Sequence, residues 1–566
     1  VPLAAAASVD TSADGVPVLS REGHPPTAFA DPSGPSPLPD TADVTVFLGA
    51  GDGTRLSEIL GPDNTVIIVI EKELAILKYV LEQQDCSSQL LNNRLIIFTA
   101  TEGSQPLHTI SLHGIVSYLD NFIFNDCRLD FVESGSCRLH SDFYTRVNKA
   151  CLFYQQVHQN LCGYENSRVP AKSEITVVSP NCRIFNDLAH CFKRLGKAVN
   201  LQRVPDTPAE WTPETRLASL KVLTQHPAEF VIFRNRALLE TTNPEERIPN
   251  ERYLKSWIVN WWWDMPNIAS RVDMKNSTTT NMTFVFARQL DGLFPGNTDW
   301  VPPGALTAFG ECETPQEPDL PVTFVGQSRY SLMKQSLNIL TDTLKNIPCA
   351  EADALCTGAA SAGTTAEIYE FLRENRTAFV RIIEDIESVF PDHAYYIKYI
   401  YELCRSAAFR MTCIRRLADA GTEMMIFGDR GWIESGTIDR KYHQGLADPE
   451  KLPELYTRSK LNLNLNFMQV SSTVNPKVLD AAAAGGAVLT DERPEMETLY
   501  PDSDCRPFVF RETEIDRLPD IVGEILSRSD KAERVRHVRE KTRSEHMLLH
   551  RAETLLRHLD TWKQRS

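Results

Sequence analysis

The sequence predicts an α/β protein in which several parallel-sheet domains follow one another along the chain. The chain has 566 residues, beyond the ~250–300 residues at which one hydrophobic core stops growing, so we expect two to four domains. Short apolar runs alternate with stretches of helical spacing, which indicates parallel strands joined by right-handed helical crossovers. Glycine-rich turns follow two of these runs, at 49–53 and 428–431, as is typical of strand ends in such sheets.

Composition and charge exclude several classes of protein. The formal net charge of −16 argues against nucleic-acid binding, because a phosphate backbone requires a basic surface. No apolar run approaches the ~18–20 residues of a transmembrane segment. The thirteen cysteines form an odd set without any CxxC pair, which predicts reduced thiols in a cytoplasmic protein and neither a disulfide framework nor a zinc site.

The first third of the chain divides into a leader and a domain. Residues 1–40 contain eight prolines and little apolar periodicity, so we expect a disordered leader. Residues 41–170 are expected to form an extra Rossmann-like α/β domain. Its predicted strands are 44–48, 65–70 and 95–99, and its predicted helices are 54–60 and 73–83.

The rest of the chain predicts two further α/β domains, 171–315 and 316–566. In the first we expect a helix at 183–195 and strands at 175–179, 198–201, 230–234 and 258–263. Residues 302–321 are rich in proline, glycine and acidic residues, which is typical of a linker. In the second domain a helical insertion at about 328–420 separates a strand at 322–326 from strands at 424–427, 461–465 and 487–490.

The first motif is the glycine turn at 49–53, followed by an acidic residue at the end of the next strand. Gly49 and Gly51 would allow a sharp turn close to a ligand, and Glu71 could accept hydrogen bonds from ribose hydroxyls. The pattern resembles the first motif of methyltransferases that use S-adenosylmethionine. Tight strand–helix turns also require glycine for structural reasons alone, so both interpretations remain open.

The second motif lies where a predicted loop meets a helix, near residue 475. Ser472, Thr473 and Asn475 precede the helix, whose free N–H groups and positive dipole favour anions. Lys477 adds a positive charge in the first turn, and Asp480 lies one turn further on the same face. Together these residues predict a nucleotide-diphosphate site. The earlier turn at 428–430 adds three candidate binding residues, namely Gly428, Asp429 and Arg430.

These stretches resemble the C-terminal domain of GT-B glycosyltransferases, in particular the group that includes the spore-maturation protein CgeB. The resemblance rests on residues 427–432 (FGDRGW), 455–464 (LYTRSKLNLN) and 475–485, and on two upstream segments, 261–266 (WWWDMP) and 324–326 (FVG). It implies a GT-B core of two Rossmann-like domains over about 173–560. The domain at 41–170 shows a fainter resemblance to the leading domain of motility-associated factor proteins, which glycosylate flagellin.

The resemblance implies transfer of a sugar from a nucleotide-diphosphate donor, such as a UDP- or GDP-sugar, to a hydroxyl of a protein or surface-glycan acceptor. Lys477 and Arg430 would offset the charge on the departing diphosphate without an obligatory metal. Arg329 is a weaker candidate for the same task. Asp264 would act as the base if the reaction inverts the sugar centre. Isolated acidic triplets such as 502–504 are interpreted as turns.

Two departures from the family pattern leave alternatives open. Lys477 replaces the usual arginine and Asp480 the usual glutamate, and a pair of glutamates typical of retaining enzymes is absent. Retention or inversion of the sugar centre therefore stays undecided, as does the oligomeric state. The rival hypotheses are an S-adenosylmethionine-dependent methyltransferase that works through Gly49, Gly51 and Glu71, and a non-catalytic scaffold with the GT-B fold.

Overall fold

A computed structural model confirms the α/β class and divides the chain into two compact units. It describes residues 7–29, 43–60, 66–99, 107–109, 127–162, 173–235 and 254–564, together with 115 and 118–119. Within these ranges it leaves out residues 13, 15, 22–23, 93, 128, 181, 205–212, 255, 264–281, 292, 295–296, 313–316, 348 and 389–390. The first unit contains the described residues up to Cys162 and a helix at Pro213–Gln225, and the second unit contains the remainder. Among the described helices, none has the length and hydropathy needed to cross a bilayer.

The first unit begins with three short antiparallel strands. These are β1 (Ala7–Thr11), β2 (Pro17–Arg21) and β3 (His24–Ala28). Leu19 and Phe29 are buried in one apolar cluster with Phe47 and Leu77 of the following domain. The expectation of a disordered leader is therefore wrong for these strands, because two large apolar side chains provide a packing face that their proline-rich surroundings concealed.

A five-stranded parallel sheet forms the centre of this unit in the described residues, in the order β7-β6-β5-β4-β8. Its strands are β4 (Val44–Leu48), β5 (Val66–Ile70), β6 (Leu95–Thr99), β7 (Leu107–Thr109) and β8 (Leu129–Glu133). The helices of the unit are α1 (Thr54–Ile59), α2 (Leu74–Gln83), α3 (Ser87–Leu91), α4 (Ser141–Cys162) and α6 (Pro213–Gln225). The predicted Rossmann-like domain is thus present, and α6 joins it although the sequence placed that segment in the next domain.

The second unit contains two parallel six-stranded sheets among its described residues. The first has the order β10-β9-β11-β12-β13-β14. Its strands are β9 (Ser173–Ser179), β10 (Val199–Arg203), β11 (Ala228–Arg234), β12 (Trp257–Trp262), β13 (Met282–Val285) and β14 (Thr298–Trp300), with α5 (Arg183–Arg194) between β9 and β10. Trp261 and Trp262 of β12 are buried, so the tryptophan run belongs to the core of this sheet.

The second sheet of this unit has the order β17-β16-β15-β18-β19-β20, which is the strand order of a Rossmann fold. Its strands are β15 (Leu320–Val325), β16 (Met424–Phe427), β17 (His443–Gly445), β18 (Ser459–Asn464), β19 (Val488–Asp491) and β20 (Phe508–Phe510). The two sheets of the second unit therefore supply the pair of Rossmann-like domains predicted for a GT-B core; we call them the first half and the second half.

A helical block separates β15 from β16 at the predicted place. Its helices are α8 (Tyr330–Lys345), α9 (Ala350–Ser361), α10 (Thr365–Glu374), α11 (Arg376–Glu387) and α12 (Pro391–Asp419). Arg405 of α12 is buried and pairs with Glu402 at 3.2 Å and with Glu512 at 2.5 Å. This buried network fixes the block against the second half.

The remaining helices complete the second unit. They are α7 (Thr307–Gly310), α13 (Gly431–Glu434), α14 (Leu452–Arg458), α15 (Pro476–Ala484), α16 (Glu495–Leu499), α17 (Leu518–Ser527), α18 (Lys531–Glu545) and α19 (Leu548–Lys563). The sequence assigned α19 to the second half, but Leu548, Leu555 and Leu559 of this helix are buried in the core of the first half. Apolar spacing reveals that a helix has a buried face without revealing which sheet will cover it.

The chain crosses between the two halves at two places that lie side by side. The amide of Ala305, in the linker, donates to the carbonyl of His546 at 2.8 Å, and the amide of Leu548 donates to the carbonyl of Ala305 at 2.7 Å. Arg551 of α19 stabilises the contact between these two crossings, because its buried guanidinium donates to the carbonyls of Pro303 at 3.0 Å and Glu545 at 3.1 Å.

We expect Arg551→Ala to lower the free energy of unfolding of the protein by about 3 kcal/mol, because it leaves buried carbonyl groups without donors. Urea unfolding followed by circular dichroism measures the change. Arg557→Ala on the same helix is the control, since Arg557 is exposed and should change stability by less than about 0.5 kcal/mol. Equal effects of the two substitutions would contradict the assigned role of Arg551.

Candidate functional site

The glycine turn of the first unit is in close contact with its own chain. Gly49 and Gly51 have φ values of 87° and 58°, which favour glycine because a side chain is strained there. The amide of Gly51 donates to Oγ of Ser136 at 3.0 Å. A Cβ atom on Gly49 would collide with the same hydroxyl. The space in front of the turn, where a ligand would approach the backbone, is thus filled by a serine of this unit.

Glu71 is buried beside this turn and its carboxylate is already bonded. It accepts hydrogen bonds from the amide of Ala50, the amide of Glu73 and the hydroxyl of Ser136, each at 2.7 Å. Burial raises the pKa of this carboxyl. The glycines and Glu71 therefore serve the turn itself, and this arrangement argues against the expected binding of S-adenosylmethionine through them.

In the second half, strands β15 and β18 are neighbours at the point where the strand order reverses. Ligands of doubly wound sheets bind at the carboxyl ends of the strands at such a switch point. Here β15 ends at Val325 and β18 ends at Asn464. The segment from Leu465 to Asn475, which we call the β18–α15 loop, leads from β18 into α15. The predicted cluster around residue 475 thus lies at the switch point.

Lys477 lies in the first turn of α15 and points towards the end of β15. Its ammonium group donates to the carbonyl of Val325 at 3.0 Å. Burial lowers the pKa of Lys477 to about 8, and the nearby Arg410 and Arg329 lower it further, whereas Asp480 acts in the opposite direction. The ammonium group is therefore held inside the protein at the switch point and does not project into solvent.

Arg410, a residue that sequence reasoning missed, brings a second cation to the same place. It projects from α12 and donates to the carbonyls of Gln327 and Leu465, both at 2.9 Å. These carbonyls follow directly on the ends of β15 and β18. Burial lowers the pKa of Arg410 to about 10, and the charge of Arg329 contributes to the change.

Arg329 completes a group of three cations that we call the cation cluster: Arg329, Arg410 and Lys477. The guanidinium of Arg329 lies 4.1 Å from the ring centroid of Phe467, and that of Arg410 lies 4.6 Å from the same centroid. Cation–π contact with this ring partly compensates the burial of the two guanidinium groups. Arg329 lowers the pKa of Arg410, and both guanidinium groups lower the pKa of Lys477, so a bound anion would relieve their repulsion.

The turn at 428–430 adjoins the end of β15, but its three residues differ in position. Gly428 is required by close packing, since a Cβ atom there would collide with the carbonyl of Gly326. Oδ1 of Asp429 accepts a hydrogen bond from the amide of Ser328 at 3.2 Å. Arg430 is exposed at the start of α13. The structure thus brings Gly428 and Asp429 to the switch point but does not place Arg430 in the cation cluster.

The loop residues before α15 have separate roles. Oδ1 of Asn475 accepts from the amide of Lys477 at 3.0 Å and caps the helix. Thr473 is buried, and its hydroxyl oxygen has no hydrogen-bond partner among the described residues. Ser472 instead donates to Oε1 of Glu495 at 2.6 Å. Thr473 is therefore the hydroxyl of this loop that a ligand could still engage.

Asp480 is not open to a ribose in this structure. It is buried, and its Oδ1 accepts from the amide of Leu306 in the linker at 2.9 Å. Burial raises the pKa of Asp480 to about 7. The adjacent amide of Thr307 donates to Asp187 of the first half at 2.7 Å. Two carboxylates, one from each half, thus accept hydrogen bonds from consecutive linker amides. For Asp480, this contact takes the place of the predicted contact with a ribose.

Two further residues that the sequence did not reveal join the halves beside the β18–α15 loop. Glu495 accepts from the amide of Arg288 at 2.6 Å and from Nε1 of Trp300 at 3.2 Å. Oε1 of Gln289 accepts from the amide of Ser472 at 2.9 Å. No local sequence pattern marks these residues, because their hydrogen-bond partners lie 183 to 207 positions away in the chain.

Asp264, the predicted base, lies outside the described residues. In the part of the chain that is described, no group of three His, Cys, Asp or Glu side chains is placed to hold a metal ion. The acidic triplet near residue 503 forms an exposed turn, in which Asp502 accepts from the amide of Asp504 at 2.9 Å.

Comparison with solved structures finds distant similarities. A glycosyltransferase from Rickettsia africae ESF-5 aligns over 70% of this chain and 100% of its own, with 9% identity and a TM-score of 0.42. The sucrose-phosphate synthase (tll1590) from Thermosynechococcus elongatus aligns over 69% and 99%, with 9% identity and a TM-score of 0.37. WaaG, a glycosyltransferase involved in lipopolysaccharide biosynthesis, aligns over 67% and 98%, with 12% identity and a TM-score of 0.38. At these TM-scores no inference rests on the three structures.

Comparison with curated proteins finds no match. A family model described as "Glycosyl transferase-like" matches residues 407–557. This segment includes Arg410, the turn at 428–430, the β18–α15 loop and the whole of α15. Over the residues that form most of the switch-point site, the chain is therefore similar to the glycosyl transferase-like family.

Proposed function

We propose that the protein is a glycosyltransferase that moves a sugar from a nucleotide-diphosphate donor, such as a UDP- or GDP-sugar, to a hydroxyl acceptor. The observation that supports this most is the cation cluster at the carboxyl ends of β15 and β18, beside the N-terminus of α15. The three cationic side chains suit a diphosphate: Arg410 is buried, and Lys477 and Arg329 are half-buried. The family match over residues 407–557 includes two of the three cations.

The proposed chemistry is electrostatic. Cleavage of the bond between the anomeric carbon and the phosphate oxygen leaves negative charge on the diphosphate. Preorganised cations lower the barrier where such charge develops, because they need no reorganisation during the step. We assign this task to Lys477, Arg410 and Arg329, and we assign no obligatory metal. Thr473 is our candidate donor to a phosphate oxygen, and Asp264 stays our candidate base.

Two rival functions make different predictions. A methyltransferase would bind S-adenosylhomocysteine in the first unit, where Glu71 and Ser136 occupy the turn. A scaffold would bind no nucleotide, although it would retain the same fold. The three cations gathered at the switch point favour the transferase, because such a concentration of positive charge attracts the anionic diphosphate of a nucleotide sugar.

Titration of the protein with UDP and with GDP in a calorimeter tests the function directly. We expect binding of at least one nucleotide and none of S-adenosylhomocysteine. Lys477→Met should weaken nucleotide binding by about tenfold to a hundredfold, since a hydrogen bond to a charged group contributes about 1.5–3 kcal/mol. Lys460→Met is the matched control, because Lys460 is an exposed lysine of β18.

Three outcomes would contradict the proposal. Binding of S-adenosylhomocysteine alone would favour the methyltransferase, and absence of any binding would favour the scaffold. Equal weakening by the two lysine substitutions would show that Lys477 is not at the diphosphate.

Nucleotide affinity should also depend on pH through Lys477. Its pKa of about 8 lies below the ordinary 10.5, so the amine is charged below pH 8 and loses its charge as the pH rises through that value. We therefore expect the dissociation constant for UDP to rise by up to about tenfold per pH unit between pH 8 and 10. In Lys477→Arg the charge persists and the profile should be flat. An identical slope in Lys477→Met would exclude this origin.

Donor hydrolysis should not require a divalent metal. Release of UDP or GDP from a panel of nucleotide sugars, measured with and without EDTA, should differ by less than about twofold if the cations alone stabilise the leaving group. Loss of turnover in EDTA, with recovery on addition of Mg²⁺ or Mn²⁺, would refute metal independence while leaving the transferase proposal intact.

A further inference from the structure

A cavity of about 210 Å³ lies in the second unit beside the β18–α15 loop. It is lined by α11 and α12 of the helical block, by Gln289 and Leu293 of the first half, and by Met468, Gln469 and Ser471 of the loop. The volume corresponds to about seven water molecules at ~30 Å³ each, so a small polar ligand has room there. Both halves and the helical block thus contribute to one recess.

The cavity and the cation cluster share the β18–α15 loop. Phe467 lies under the guanidinium groups of Arg329 and Arg410, and the next residue, Met468, lines the cavity. The amide of Met468 donates to Oγ of Ser406 on α12 at 3.2 Å, which fixes the loop against the helical block. A ligand in the cavity would therefore lie next to a diphosphate bound at the cation cluster.

The lining combines aromatic rings with hydrogen-bonding groups. Tyr395 and Tyr399 supply ring surface for the apolar face of a ligand. Besides the hydroxyls of Ser471 and of the two tyrosines, the lining carries two carboxylates, one ammonium and two carboxamides: Glu387, Glu402, Lys398, Gln289 and Gln469. Such a mixture of ring surface and convergent polar groups suits a ligand with many hydroxyl groups.

The charges around the cavity balance. Glu402 pairs with Arg405 at 3.2 Å, which leaves Glu387 and Lys398 as charges of opposite sign on neighbouring helices. The cavity thus differs from the cation cluster, where three positive side chains suit a diphosphate. A neutral ligand fits this lining better than a second phosphate or a nucleotide does.

We propose that this cavity is the acceptor subsite and that it binds a neutral carbohydrate through the helical block, an inference that rests on the proposed glycosyltransferase function. A hydroxyl oxygen of the bound sugar attacks the anomeric carbon of the donor. The bond from that carbon to the phosphate oxygen breaks, its electron pair leaves with the diphosphate, and the hydroxyl proton passes to the general base of the proposed transferase. Glu387 orients the acceptor by accepting hydrogen bonds from its hydroxyls.

Two measurements test this proposal with free glucose, galactose, N-acetylglucosamine and lactose as probes. Saturation-transfer NMR measures sugar binding without any donor, and nucleotide release from the hydrolysed donor measures transfer. We expect at least one sugar to bind and to accelerate release. Glu387→Gln should raise the KM for that sugar by about tenfold and leave both donor hydrolysis and nucleotide affinity unchanged. Glu384→Gln is the control, because Glu384 is exposed on the same helix and does not line the cavity.

Failure of this proposal is distinguishable from failure of the proposed function. If a donor is hydrolysed but no probe sugar binds or accelerates release, or if only a protein accepts the sugar, the acceptor subsite is refuted and the transferase stands. Equal KM values in Glu387→Gln and Glu384→Gln would also refute it. If no nucleotide binds, the transferase fails, and sugar binding by NMR that is lost only in Glu387→Gln would still support a carbohydrate site in the cavity.

Discussion

The gathering of three cations at one sheet edge, one buried and two half-buried, is the constraint on which the second half depends. Removing a guanidinium or ammonium group from water costs several kcal/mol unless it finds close partners. Here the partners are backbone carbonyls at the ends of β15 and β18 and the ring of Phe467. Carboxylates also act on the cluster, since Asp480 raises the pKa of Lys477, and Asp491 and Asp429 raise that of Arg410. Arg410 reaches this edge because α12 crosses behind it, which makes the helical block part of the site.

The switch-point site also depends on the contact between the two halves. Asp480 and Asp187 hold the adjacent linker amides of Leu306 and Thr307, and Glu495 joins the first half to the segment after β19. A carboxylate that accepts a hydrogen bond from a backbone amide fixes the distance and the direction of the contact, whereas a nonpolar contact fixes neither. These contacts between the two halves fix the surroundings of the β18–α15 loop. The positions of Thr473 and of the α15 amides therefore depend on them as much as on the loop sequence.

Local patterns predicted much of this fold and part of the site. The apolar runs of β4 and β16 predicted the bounds of both strands, and the loop–helix boundary near residue 475 predicted the start of α15. Arg410 could not be predicted, because its partners Gln327 and Leu465 lie 83 and 55 residues away and its neighbours in sequence show only helical spacing. Strands β7 and β17, three residues each, are too short for periodicity and exist through their neighbours. The glycine turn at 49–53 was located correctly, but only tertiary packing revealed that Ser136 fills it.

Asp480 shows that a carboxylate with the right chemistry for one contact can be used for another. A carboxylate one turn after Lys477 has the right chemistry for ribose hydroxyls, yet here it accepts the amide of Leu306 and lies fully within the protein. Asp480 also raises the pKa of Lys477, which lies one helical turn before it. The same carboxylate therefore acts on both the linker and the cation cluster. The pKa of Asp480 of about 7 lies in the physiological range, so protonation of this carboxyl removes the nearest negative charge from Lys477 and weakens the hold on the linker at once. The strength of one contact with the linker and the charge near Lys477 therefore both depend on the ionisation of Asp480.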